Sequence, residues 1–163
     1  MKPELLPGVA KDQLNLVLSF FTRVDSKASV VLAVDTAMLG YLASKLPQLR
    51  WPLSWPLLIP LAAFLLIFLS IWHLYKAAFP VLKGGSSSLV YFREVAKRTE
   101  AKFIEEFSAQ EASGYSKELL GQAWRNSEIL VEKFDHLKRA FIFMALSVVP
   151  WTIALVQFSI KVT

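Results

Sequence analysis

Residues 57–75 read LLIPLAAFLLIFLSIWHLY, the most apolar stretch of a 163-residue chain, with no formal charge when its histidine is neutral. At a rise of ~1.5 Å per residue such a run crosses most of a ~30 Å hydrocarbon core, so it predicts a membrane-spanning helix. Pro60 falls in its first turn, where a missing backbone N–H costs least. Trp72 and Tyr75 fall near its end, where amphipathic rings favour the membrane boundary. Working outward, Ala28–Leu46 is a second run of Val, Leu, Ala and Met long enough to span. Pro47, Pro52 and Pro56 break the chain between the two runs, with Trp51 and Trp55 suited to an interfacial connection. A third run, Ala140–Ile160, opens after Lys138 and Arg139 and closes at Lys161, with Pro150 as an expected kink.

The expected fold class is an all-α membrane protein with three transmembrane helices and a cytoplasmic helical hairpin between the second and third. Residues 1–27 read as an amphipathic N-terminal helix, with Leu14, Val17, Leu18, Phe21 and Val24 at helical spacing. Residues 28–75 hold the first two spans, 76–139 the cytoplasmic helical domain and 140–163 the third span. In the cytoplasmic domain two stripes predict a pair of helices: Phe92, Ala96, Thr99, Phe103 and Phe107, then Leu120, Ala123, Ser127, Leu130, Phe134 and Leu137. Gly114 is expected at the turn between them. The second helix runs into the third span without a breaker, so movement in the polar domain would pass directly to the membrane.

Composition agrees with two environments. The chain is 55% hydrophobic with a mean hydropathy of +0.45, yet 19% of its residues are charged, so a sizeable part faces water. The absence of cysteine removes disulfides, thiolate nucleophiles and Cys-containing zinc sites. A net charge of +5 is read as cytoplasmic Lys and Arg rather than as a nucleic-acid surface. Four such residues precede the first span (Lys2, Lys11, Arg23, Lys27), Arg50 lies in the short connection, and eleven lie between Lys76 and Arg139. The positive-inside rule then places the N-terminus and the polar domain in the cytoplasm. Nothing before Leu14 resembles a cleaved secretory signal.

Few residues suggest chemistry. Asp35 lies about two turns inside an apolar run, where a carboxylate costs roughly 2.5–3.5 kcal/mol, so it predicts a partner, a water-filled cavity or a pore. The alternative is a shallower helix, with Asp35 at the headgroups beside a lysine. Asp25 and Lys27 read by spacing as a solvated helix boundary. Tyr91, Phe92 and Arg93 follow Gly84-Gly85-Ser86-Ser87-Ser88, where rings and a guanidinium can stack on a base and hold a phosphate, or simply pack. Glu94, Lys97, Arg98, Glu100, Lys102, Glu105 and Glu106 alternate in sign as a solvated face does. His73 reads as interfacial, His136 has charged neighbours, and no metal site is expected. Gly84-Gly85 lacks the Lys-Ser/Thr of a phosphate loop, and no catalytic triad or carboxylate pair is spaced for catalysis, so an enzyme is not expected.

The segments RVDSKASVVLAVDTAMLGYL (23–42), LVYFREV (89–95) and Gln122 with NSEILVEKFDHLKRA (126–140), together with Pro80, resemble the transmembrane effectors of bacterial Pycsar anti-phage systems. The resemblance covers nearly the whole chain. It implies a multi-pass protein of the inner membrane, working beside a pyrimidine cyclase and activated by cyclic CMP or cyclic UMP to impair membrane integrity and cause abortive infection. By position it carries D-x-K-A onto Asp25, Lys27 and Ala28, an aromatic pair onto Tyr91 and Phe92, and S-x-I-x-x-x-K onto Ser127, Ile129 and Lys133. Lys27, Arg93, Arg125 and Lys133 are cations able to bind one phosphate. Larger members of related systems carry a recognisable cyclic-nucleotide-binding domain, and no β-rich segment here can form one. The expected partners are the lipid bilayer, the cyclase product and further copies of the chain, with no nucleic-acid polymer and no other cofactor. The competing readings are a non-conducting membrane adaptor whose helical hairpin recruits a protein, and, ranked last, a small transporter subunit.

Overall fold

Forty residues from Leu6 to Lys45 form one helix, α1, in which the expected N-terminal helix and first apolar run are continuous. Its inward positions follow Ala10, Leu14, Val17, Phe21, Val24, Ala28, Val31, Asp35, Met38 and Leu42, alternating steps of four and three. That is the seam of a left-handed coiled coil. The computed structural model describes residues 6–45, 57–79 and 84–160; the Pro/Trp-rich connection, Pro80 and Lys161 lie outside the described residues. Among the described residues all regular structure is helical: α2 (Leu58–Ala78), α3 (Phe92–Val95), α4 (Glu100–Ser108) and α5 (Ala112–Ile160) follow α1. Buried Pro60, Ala63, Ile67, Ser70, Leu74 and Ala77 give α2 the same alternating seam. In α5 it runs from Ser116 and Leu119 to Ala154 and Phe158, and the helix continues through Pro150.

The chain falls into two compact units, each drawing on α1 and α5. The first comprises Met1–Arg23 and Pro80–Glu132. Its core is Ala10, Leu14 and Val17 of α1 against Leu119 and Ala123 of α5, with Val90 and Tyr115 alongside. Two expectations change here. The stripe from Phe92 to Phe107 is not one helix: α3 is a single turn, and α4 restarts at Thr99, whose hydroxyl caps it by accepting from Lys102 N at 3.3 Å. Such caps stop an incoming helix because the side chain replaces a backbone acceptor. Gly114 is not the turn; it lies inside α5, and α4 ends at Ser108.

The second unit comprises Val24–Phe79 and Lys133–Thr163. Met38 and Leu42 of α1, Ala63 and Ile67 of α2, and Ala154 and Phe158 of α5 form its core. Small residues dominate the fully buried positions, with Ala63, Ser70, Ala140, Ser147 and Ala154 at 0% exposure, which lets helix backbones approach closely. The outer face is the reverse of a water-soluble bundle. Leu58, Leu61, Phe64, Leu65 and Phe68 point outward from α2, Phe141, Ile142, Leu146, Val149 and Ile153 from α5, and Val30, Leu32 and Val34 from α1. Polar Asp35, Ser70 and Ser147 are inside. A helix apolar all round belongs in a core or in lipid, and these apolar faces are exposed. Two helices, α2 and α5, are long and apolar enough to cross a membrane. α1 is not among them, its apolar half carrying Asp35 and ending at Lys45.

Candidate functional site

The sequence-derived candidates divide between the two units: Tyr91, Phe92, Arg93, Arg125 and Ser127 in the first, and Asp25, Lys27, Asp35 and Lys133 in the second. In the first, the Gly-Ser segment before α3 is held from two sides. Arg98 donates to the carbonyls of Ser87 (2.9 Å), Ser88 (3.3 Å) and Glu94 (2.7 Å), and to Glu106 Oε2 (2.6 Å). This guanidinium is therefore a clamp, with a side chain only 13% exposed, and not part of a solvated face. From the other side, Glu118 Oε2 accepts from Ser88 Oγ (3.0 Å) and Leu89 N (2.8 Å), while Oε1 accepts from Gln110 Nε2 (2.6 Å). Ser87 sits at φ 58°, a left-handed conformation uncommon for a non-glycine residue, and these bonds hold it there. Glu94 accepts from Lys97 and from Ser87 N (3.1 Å), and these bonds hold its carboxyl below the usual range.

Two glycines of this segment permit close approaches. A Cβ on Gly84 would lie 2.0 Å from the Tyr91 ring, and a Cβ on Gly85 would lie 2.8 Å from a terminal nitrogen of Arg125. Tyr91 is thus buried under the loop rather than presented to a ligand, while Phe92 meets it edge-on at 5.1 Å and stays exposed. Behind the loop a cleft of ≈ 280 Å³ is lined by Gly85 to Ser88 and, from α5, by Lys117, Glu118, Gly121 and Arg125. Arg93 is exposed. Ser127 is half-buried and donates to the Ala123 carbonyl at 2.9 Å, the bond of an ordinary helical serine.

In the second unit Lys133 pairs with Asp25 at 3.0 Å, joining two residues that the motif reading set on separate segments. Lys27 is exposed, on the rim of an apolar groove with Lys138, Phe134 and Phe141. Asp35 is fully buried, and its neighbour is Ser70 rather than a lysine: Ser70 Oγ lies 2.6 Å from Asp35 Oδ2 and 2.9 Å from the Ala140 carbonyl. A hydroxyl has one hydrogen. Both contacts are full hydrogen bonds only when the Asp35 carboxyl carries a proton, donating to Ser70 as Ser70 donates to Ala140. Asp35 Oδ1 is buried without a hydrogen-bond partner. One turn further along α2, His73 Nδ1 lies 3.1 Å from His136 Nδ1, and the His73 ring stacks on Phe143 at 5.5 Å. Periodicity gave no sign of this pair, because its members are 63 residues apart. It also missed Lys117 and Gly121, although Lys117-x-x-x-Gly121-x-x-x-Arg125 is readable as one helix face.

The family model described as the Pycsar effector protein domain, PycTM, matches residues 9–158. No curated protein and no solved structure matches the chain.

Proposed function

The chain belongs to the PycTM family of Pycsar effectors, and on that premise we propose that a cyclic pyrimidine mononucleotide, cCMP or cUMP, activates it to impair the inner membrane and abort phage infection. Family membership makes it an anti-phage membrane effector. The ligand, the three-span topology and the bilayer mechanism are our reading. The observation that carries it is the second unit, whose outer face is apolar while Asp35, Ser70 and Ser147 are buried, on a chain matched almost end to end by the family. In this reading α1 is the first of three spans, since Val30, Leu32 and Val34 face outward beside the apolar faces of α2 and α5. The N-terminus and the first unit are cytoplasmic, and copies of the chain assemble in the bilayer.

A nucleotide acts only through a difference in affinity between two states. The first unit supplies candidates for that recognition in Arg125, Arg93, Ser127 and exposed Phe92, and in the second unit Asp25, Lys27 and Lys133 complete the proposed set, with Asp35 as the buried polar position of the membrane helices. Nothing in this scheme requires catalysis. The second reading, a non-conducting adaptor, is favoured by the exposed row Leu120, Trp124 and Val131 on α5, a surface suited to a protein partner. Titration calorimetry of the solubilised protein with cyclic CMP, cyclic UMP and cyclic GMP separates the two. Saturable heat with one pyrimidine ligand and none with the purine supports the effector; no heat with any of the three removes it in favour of the adaptor.

A further inference from the structure

We infer that the cleft between the Gly85–Ser88 loop and α5 is a phosphate-binding site, in which Arg125 and Lys117 hold the phosphate of the activating ligand. The nucleotide identity of that ligand rests on the proposed function; the affinity for phosphate does not. Lys117, Gly121 and Arg125 follow one another at intervals of four, so they share one face of α5 and the residue between the two cations has no side chain. The Arg125 guanidinium folds back over Gly121, its terminal nitrogens 3.5 and 3.6 Å from where a Cβ would stand, and Lys117 follows one turn away on the same face. Arg125 has five N–H donors in a planar fork that matches a phosphate, and one of them makes a long 3.3 Å contact to Gln122 Oε1. Its Nε is buried with no partner, a donor taken out of water with nothing to receive it.

Gly85 completes the arrangement. Its missing Cβ lets the loop backbone lie directly on the guanidinium and so fixes where the fork points. Ser86 and Ser87 add exposed hydroxyls on the loop side, and the clamps from Arg98 and Glu118 order that side before any ligand arrives. Glu118 also lines the cleft, but three donors already occupy its two oxygens, and two cations stand against its one charge. At ≈ 280 Å³ the cleft is close to the lower end, roughly 300 Å³, of small-ligand sites. It takes a phosphate and part of a sugar and leaves a base outside. A phosphate can come from a nucleotide or from a lipid headgroup, and the chemistry of the cleft is the same for both.

The test is calorimetry on the full chain in micelles with cyclic CMP, cyclic UMP, inorganic phosphate and glycerol 3-phosphate as probes. Arg125→Gln and Lys117→Gln should each weaken the bound probe about tenfold or more, the scale of one charge-assisted hydrogen bond. Gly85→Ala displaces only the flexible end of Arg125, so it should weaken binding at an unchanged melting temperature, which guards against misfolding of the charge variants. Lys11→Gln, on exposed α1 surface, should bind as the parent does. Cyclic-nucleotide binding unaffected by both charge variants overturns the site and leaves nucleotide activation standing. Binding of glycerol 3-phosphate alone, lost in Arg125→Gln, supports the phosphate site and overturns its nucleotide occupant. Failure of every probe to bind overturns the site, and membrane leakage on adding nucleotide then reports separately on activation.

Discussion

Replacing Asp35 by Asn should leave the protein nearly as stable as the parent, whereas Asp35→Ala should not. If the carboxyl carries a proton, it donates to Ser70 Oγ across the 2.6 Å contact and Ser70 donates on to Ala140. Asn offers the same donor through its amide nitrogen at nearly the same volume, so the chain of bonds survives and the change costs less than about 0.5 kcal/mol. Ala removes the donor and leaves a small void; interhelical hydrogen bonds between membrane helices contribute about 0.6–1.7 kcal/mol, so with the void we expect a loss of about 1–2 kcal/mol. Ser70→Ala strands the buried carboxyl, whose Oδ1 already has no partner, and should cost as much or more. The double variant should cost little more than Asp35→Ala alone, because the stranded group has gone too. Reversible unfolding in mixed micelles, followed by far-UV circular dichroism as the denaturing detergent rises, measures all four. Equal destabilisation by Asn and Ala would refute the protonated acid and mean that Asp35 is held as an anion.

Gly84→Ala should destabilise the first unit by about 1–3 kcal/mol, since the new methyl meets the buried Tyr91 ring and not a flexible end; a melting temperature equal to the parent's would contradict that packing. Arg98→Ala should free the Ser87 and Ser88 carbonyls and speed amide exchange at residues 87–91, while Lys102→Ala, whose ion pair with Glu106 is 3.9 Å long, should not. Acid should loosen the same loop. Glu94 is depressed when folded, first by its bond to Lys97 and then by Ser87 N, so its contribution is present above its ordinary value of 4.5 and is lost as pH falls through the lower folded value. Ser87 amide protection measured from pH 6 down to pH 3 should fall over that window, and Glu94→Gln should abolish the dependence.

Much of the helical layout is legible in single stretches. The run 57–75 became α2 from Leu58, and the residues from Leu120 through Ile160 did prove continuous, because apolar runs and heptad spacing are local properties. Asp35 stands in the α1 series where a buried apolar residue is due, so its burial too is implied by spacing. The break at Thr99 is local, but Phe92, Phe103 and Phe107 keep helical spacing across it, and the Thr99 cap divides them between α3 and α4. The site is less legible. Ser70 lies 35 residues from Asp35, Lys133 lies 108 from Asp25, and the clamps from Arg98 and Glu118 close on a loop whose own sequence, Gly-Gly-Ser-Ser-Ser, predicts only flexibility. Contacts of that range depend on how helices pair, which periodicity does not encode.

We propose that a cyclic pyrimidine mononucleotide turns this chain against the bilayer. Liposomes carrying the purified protein and a self-quenched dye test it directly. Cyclic CMP or cyclic UMP should release the dye in a saturable, dose-dependent way, with cyclic GMP and protein-free liposomes giving none. Intact liposomes at a saturating concentration of both pyrimidine ligands would contradict it.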